Sequence, residues 1–153
     1  MANESAQALP RTRVRWTERL SVGIAEIDAQ HRELYRRIDL FLRALDERRG
    51  KSEVTPLVSY LDDYVCGHFA AEQRMMELSG YPGLGDHMAE HHYFEEEYRR
   101  LAAQLEAEGA TLPLARELVS LLGDWLDHHL ETTDHRFGDY LSAQRLARKA
   151  PLA

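Results

Sequence analysis

Apolar residues recur along this chain at steps of three and four in four long stretches, the period of a helix with one buried face. His31, Leu34, Ile38, Leu42 and Leu45 form the first stripe, which predicts a helix from a cap at Asp28 to about Arg49, stopped by Gly50. Leu57, Leu61, Val65, His68, Glu72 and Met75 form the second, on a helix from Ser52 to about Ser79. The breaker Gly80-Tyr81-Pro82-Gly83-Leu84-Gly85 follows, and Asp86 is placed to cap a third helix reaching about Glu108. Its inner side carries His87, His91, Phe94, Tyr98, Leu101 and Leu105. Gly109 ends that helix, and Pro113 suits the first turn of a fourth, with Leu114, Leu118, Leu121 or Leu122, Trp125 and His129 on one face as far as about Leu141. The short alternation that marks strands is absent. The expectation is an all-α, up-down-up-down four-helix bundle with an N-terminal extended arm and a short C-terminal helical extension. Residues 1–15 read as a flexible arm, 16–141 as the bundle and 142–153 as a basic tail.

Each stripe contains histidine where a core residue belongs: His31, His68, the pair His87 and His91, and His129. Glu72 lies four residues after His68, and Asp134 five after His129. At about 100° per residue, an i,i+4 pair is only about 40° apart, so His68 and Glu72 share a direction, as do His87 and His91. Five residues span about 140° on a regular helix, so His129 and Asp134 converge only if the helix is distorted between them, by a π-type widening or an early end. A single histidine on an apolar stripe is more often a hydrogen-bonded core residue than a ligand. Five histidines and two carboxylates in one core are another matter, because uncompensated burial of so many polar groups is strongly destabilising. A cation offsets that cost, and neutral imidazoles and carboxylate oxygens are suitable donors. Seven donors exceed one tetrahedral zinc and fit two metals, with the imidazoles terminal and the carboxylates bridging.

The other histidines, His92, His128 and His135, neighbour these positions and point elsewhere. Cys66 lies about 200° round the helix from His68 and reads as a packed thiol, with no role in iron–sulfur ligation. As the sole cysteine it forms no intrachain disulfide, which suits a reducing, cytoplasmic setting. The 153 residues are enough for one domain with a sizeable core. A net charge of −7 argues against nucleic acid, whose phosphates need a basic face. No apolar run reaches the roughly 20 residues needed for membrane insertion, and Met1 to Arg15 has no apolar core of a secretory leader.

Five blocks, in order, resemble the bacterial hemerythrins. They are Trp16 with Leu20-Ser21-Val22-Gly23-Ile24, Ile27-Asp28 and Gln30-His31; His68-Phe69-Ala70-Ala71-Glu72; Gly80-Tyr81-Pro82; His87-Met88-Ala89-Glu90-His91; and Trp125-Leu126-Asp127-His128-His129 with Asp134. Together they cover about Trp16 to Tyr140. The resemblance implies reversible O2 binding at a non-haem di-iron centre, for oxygen storage, transport or delivery, and no enzymatic activity. It also implies a residue assignment: His87, His91 and His129 on one iron, His31 and His68 on the other. Glu72 and Asp134 would bridge the two, beside a solvent-derived oxo or hydroxo bridge. The two-histidine iron would keep the position open for O2. Gln73 stands where many members carry a second acid, but it faces off the ligand stripe.

A donor set richer in imidazole than in carboxylate suits an O2 carrier better than an oxygenase, in contrast to the carboxylate-rich di-iron bundles. Leu34, Phe69, Trp125, Leu126 and Leu130 lie one to four positions from ligands and can form an apolar O2 pocket that excludes water. The alternatives are a di-iron nitric oxide or peroxide reductase, and an O2-responsive signalling module that uses the arm or the basic tail as a partner surface. The expected partners are O2 and a possible protein acceptor of it. A monomer is the default, since no large exposed apolar stripe is evident.

Overall fold

In the computed structural model, residues 14–149 are described; the first 13 residues of the arm and the last four of the tail lie outside the described residues. Four long helical stretches follow one another: α1 (Ala25–Asp46), α2 (Gly50–Ser79), α3 (Leu84–Glu108) and α4 (Leu112–His128). The last continues through a π-helical segment, His129–Asp134, into α5 (His135–Lys149). The connections after α1, α2 and α3 are too short for crossovers, so neighbouring helices run antiparallel and close an up-down-up-down bundle in which α1 also packs on α4. Among the described residues no helix is long and apolar enough to cross a membrane.

Several boundaries differ from the sequence expectation, each for a local reason. The first helix stops at Asp46, not Arg49, because Arg48 takes the left-handed conformation at φ 60°, and Gly50 then opens α2 rather than ending α1. Asp28 is not a cap. It lies in the first turn of α1, where its buried carboxylate accepts the Ser21 hydroxyl at 2.6 Å and the Val22 N–H at 2.8 Å. That bond pair ties the lead-in Val14–Ile24 onto the bundle and buries Val14, Leu20, Val22 and Ile24. Asp86 likewise lies within the first turn of α3, which begins at Leu84. At the far end of α2, Gly80 turns the chain at φ 64°, as its left-handed position requires. Thr111 caps α4 through the Leu114 N–H, two residues before Pro113 takes its place in the first turn.

The core has two parts. The larger lies toward the α1–α2 and α3–α4 connections and includes Ile38, Phe41, Val54, Leu61, Leu101, Leu118 and Leu122. The smaller joins Val22, Ile24, Ile27, Met76 and Phe137 beneath the lead-in and α5. In α2 it is Met76, not Met75, that is fully buried at the end of the stripe. Gly138 is where α5 crosses the lead-in: a Cβ there would stand 2.2 Å from the Val22 carbonyl oxygen, so no larger residue fits without moving one of the two segments. Cys66 is exposed rather than packed, since it shares the outer face of α2 with Asp62, Asp63 and Ala70.

Candidate metal centre

Between the two parts of the core the side chains are polar. His31, His68, Glu72, His87, His91, His129 and Asp134 are all at least 97% buried, and every one of the seven positions expected from the sequence is in this layer. Helical geometry explains the local pairs. His68 and Glu72 sit one turn apart on α2, with Nε2 and Oε1 3.2 Å from each other. His87 and His91 do the same on α3, their Nε2 atoms 3.1 Å apart. His129 and Asp134 are joined by the π-helical segment, the first of the two distortions that their spacing allowed. Its i→i+5 pattern stacks residues five apart and brings His129 Nε2 to 3.0 Å from Asp134 Oδ1.

The donor atoms fall into two overlapping groups, each within a sphere that one cation could fill: Glu72, His87, His91, His129 and Asp134, and His31, His68, Glu72 and Asp134. The shared carboxylates divide their oxygens between the groups. Glu72 turns Oε1 to His68 and Oε2 to His87 and His91, the latter two at 3.3 and 3.1 Å. Asp134 turns Oδ2 to His31 at 3.2 Å and Oδ1 to His87 and His129 at 3.1 and 3.0 Å. Short as these distances are, Glu72 Oε2 and both Asp134 oxygens accept no properly directed hydrogen bond from the described residues. Buried carboxylate oxygens without donors are costly. Lone pairs converging on common points, with imidazole nitrogens as neighbours, are what a bound cation requires, so the residues fit a metal.

Hydrogen bonds on the outer side of two rings set their orientation. The Nδ1–H of His68 donates to Gln30 Oε1 at 2.5 Å, and that of His129 to Glu90 Oε2 at 2.6 Å. Glu90 is held in turn by the Thr133 hydroxyl at 2.8 Å. Each bond leaves the Nε2 lone pair facing inward, which is how a metal-ligating histidine is usually fixed. Gln30 and Glu90 were not singled out from the sequence as site residues, although each stands beside a proposed ligand. A residue next to a ligand points about 100° away, toward a neighbouring helix, and that offset was the available signal.

The electrostatics of the protein alone are strained in opposite directions. Burial and the facing Asp134 carboxylate push Glu72 up, yet the histidines, His68 foremost, hold it well below the usual carboxylate range. Asp134 is likewise held well below its ordinary value, burial being outweighed by His129. Burial drives His91 down to about 4. It opposes protonation of His129 as well, but Asp134 overcomes it and carries that ring up to about 9. A cation at the centre takes over the compensating charge that protons otherwise supply.

The expected pocket residues are placed unevenly. Phe69 lies flat on His91, ring centroids 3.7 Å apart, and half-buried Trp125 lies flat on His129 at 4.3 Å, so both line the three-histidine group. Leu34, Leu126 and Leu130 are buried in the larger core cluster on the same side of the layer as Phe69. The two-histidine group meets aromatic rings that the sequence reading did not assign to it: Trp16 at 6.5 Å from His31, and Tyr64 stacked on His68 at 4.6 Å. His92 and His128 are exposed, and half-buried His135 turns its Nδ1 to the Leu130 carbonyl, so none of the three joins the cluster.

A helical bundle with imidazoles and carboxylates gathered at one level of its core is the arrangement of a metal-binding bundle. Residues 22–141 match the family described as Hemerythrin HHE cation binding domain, and the chain belongs to that family. It is similar to the bacteriohemerythrin of Ralstonia nicotianae, 32% identical over 86% of this chain and 90% of that one. It is also similar to the bacteriohemerythrin of Stenotrophomonas maltophilia, 29% identical over 84% and 81% of the two chains. The myohemerythrin of Riftia pachyptila is 26% identical over 80% of this chain and 88% of its own. No solved structure matches the chain.

Proposed function

We propose that this protein binds O2 reversibly at a non-haem di-iron centre and serves as a store or carrier of O2, not as an enzyme. The observation that carries the reading is the division of the carboxylates: Glu72 and Asp134 each offer one oxygen to the three-histidine group and the other to the two-histidine group. In this reading His87, His91 and His129 hold one iron, His31 and His68 hold the other, and the two carboxylates bridge them. The choice of iron rests on kinship with the hemerythrins, since such ligands discriminate weakly among transition metals.

An iron pair held by these residues would supply the redox chemistry of reversible O2 binding. The chain's own residues do the rest. The two-histidine group has four protein donors against five, so it is the half with a coordination position to spare for O2. Gln30 and Glu90 keep His68 and His129 in the tautomer that presents Nε2 inward. Leu34, Phe69, Trp125, Leu126 and Leu130 keep water from the layer, which slows irreversible oxidation. Residues 16–141 are the functional unit in this reading. The lone cysteine suits a reducing compartment such as the cytoplasm, with O2, and a protein that accepts it, as partners.

The test is iron content beside a visible spectrum taken under argon, then air, then argon again. About two irons per chain are expected, in keeping with dinuclear bundles, with a charge-transfer band that appears in air and fades under argon. A band that never reverses, or that disappears by turnover with a reductant, would replace the carrier by a di-iron reductase. Protein that takes up no iron on reconstitution would overturn both. Removing the iron with a chelator should lower Tm, because a ligand bound only by the folded state stabilises it.

A further inference from the structure

Two of the five histidines carry a redox-active ring stacked face to face, and both stacks lead outward. Trp125 covers His129 at 4.3 Å and 14°. On the two-histidine side, Tyr64 covers His68 at 4.6 Å and 16°, and Tyr60, one turn earlier on α2, stacks on Tyr64 at 6.2 Å and 30°. Tyr60 is half-buried, with the Arg37 guanidinium over its ring at 4.8 Å. The result is an unbroken line of rings from a proposed ligand to the surface.

The tyrosine hydroxyls are not needed to build this line. Tyr35, Tyr98 and Tyr140 donate theirs to Asp127, the Val58 carbonyl and the Ser79 carbonyl, which gives each a structural use. Tyr64 is 8% exposed, and its hydroxyl bonds to none of the described residues. What a phenol adds to a stacked ring is the capacity to give up one electron, provided that a proton can leave.

We propose that the His68–Tyr64–Tyr60 stack is a one-electron route that discharges strong oxidising equivalents from the two-histidine half of the centre to the protein surface. The inference rests on the metal-centre reading given above. The oxidant class is hydrogen peroxide, which takes two electrons and two protons to become two waters. Each electron is drawn from the Tyr64 ring and replaced from Tyr60. Tyr60 loses its phenolic proton to water as it loses its electron, leaving a neutral radical. A one-electron donor of the ascorbate class returns one electron and one proton to Tyr60, so two such passages balance one peroxide. Arg37, ion-paired to Glu33, lies over the Tyr60 ring, where its charge disfavours a positive ring. The role is protective, a safeguard of the O2-binding centre and separate from its function: without the route, the oxidising equivalent stays on the side chains at that half, the His68 ring among them.

The experiment treats the iron-loaded full chain with hydrogen peroxide in the absence of a reductant. It reads three things: iron content before treatment, the radical by freeze-quenched electron paramagnetic resonance, and the sites of oxidation by peptide mass spectrometry. A tyrosyl radical is expected, with oxidation products at Tyr60. Tyr64→Phe keeps the stacked ring and should cut Tyr60 products several-fold while raising oxidation of His68 several-fold. Tyr60→Phe should move the radical to Tyr64. Equal His68 damage and equal Tyr60 products in wild type and Tyr64→Phe would overturn the route, as would a radical confined to Trp125. An iron-loaded protein that forms no aromatic radical overturns this inference alone, whereas failure to bind iron at the outset overturns the metal-centre reading and the route with it.

Discussion

His87, His91 and His129 come from α3 and the start of the π-helical segment, one turn or one interface apart, and their Nε2 atoms stand about 3 Å from their neighbours. His31 and His68 come from α1 and α2, and they meet each other at 3.1 Å across a single helix–helix contact. With Glu72 and Asp134 common to both, the first half has five protein donors and the second four. The first is faced by Phe69 and Trp125, whose rings lie flat on two of its imidazoles. The second is faced by Trp16 and Tyr64, one from the lead-in and one at the head of an outward stack. The halves differ by one donor, and each has a stack of rings leading outward, through Trp125 on one side and through Tyr64 and Tyr60 on the other. A bundle that must hold metal firmly and still admit a ligand can divide those tasks between two adjoining positions.

The largest break in this comparison removes what the halves share. Glu72→Ala should drop iron from about two per chain to less than one, because both positions lose a bridging donor and the histidines lose their counter-charge. Metal analysis and a thermal melt read it. Next come single-half substitutions. His68→Ala should leave about one iron per chain and abolish the reversible O2 spectrum, while His129→Ala should weaken the five-donor half and lower iron retention more broadly. If both variants lose both irons alike, the halves are not separable.

Weaker effects should follow from the outer bonds. Glu90→Ala and Gln30→Ala each release one imidazole, and loss of such partners lowers metal affinity about 10- to 100-fold. Glu90 should matter more, since its carboxylate also takes the Thr133 hydroxyl; chelator competition ranks the two. Leu126→Ser wets the wall beside the centre and should speed autoxidation several-fold with iron content unchanged, followed by decay of the oxy spectrum. The smallest change is a control outside the layer. Glu33, bonded to Arg36 and Arg37, is held down at about 2 against an ordinary 4.5. A depressed carboxylate contributes stability above pH 4.5 that disappears as pH falls through about 2. Glu33→Gln should therefore lower Tm slightly at pH 7, with no difference at the lowest pH and none in iron content, because exposed pairs contribute little.

Much of the site was legible in the chain because helices turn periodicity into direction. His68 with Glu72 and His87 with His91 needed only the four-residue step, and the odd five-residue step to Asp134 called for a distortion, a π-type widening or an early end, of which the structure has the first. Where expectation and structure part, a contact distant in sequence decided the matter. Asp28 looks like a cap until Ser21 and Val22 fold back onto it. Cys66 looks packable until the outer face of α2 is seen to lack a neighbour. Tyr64 lies one turn before His68, so the same four-residue step could have placed it, whereas Trp16, in the lead-in, carries no such signal.

The helical stripes, the polar residues that interrupt them and the pairs one turn apart were all readable from spacing, because each depends on a single helix. The division of each carboxylate's oxygens between two groups, and the pairing of Gln30 with His68 and of Glu90 with His129, came only from the packed bundle. Those relations depend on the rotation and height of one helix against the next. Side-chain packing of the whole bundle settles both, and no single helix encodes either.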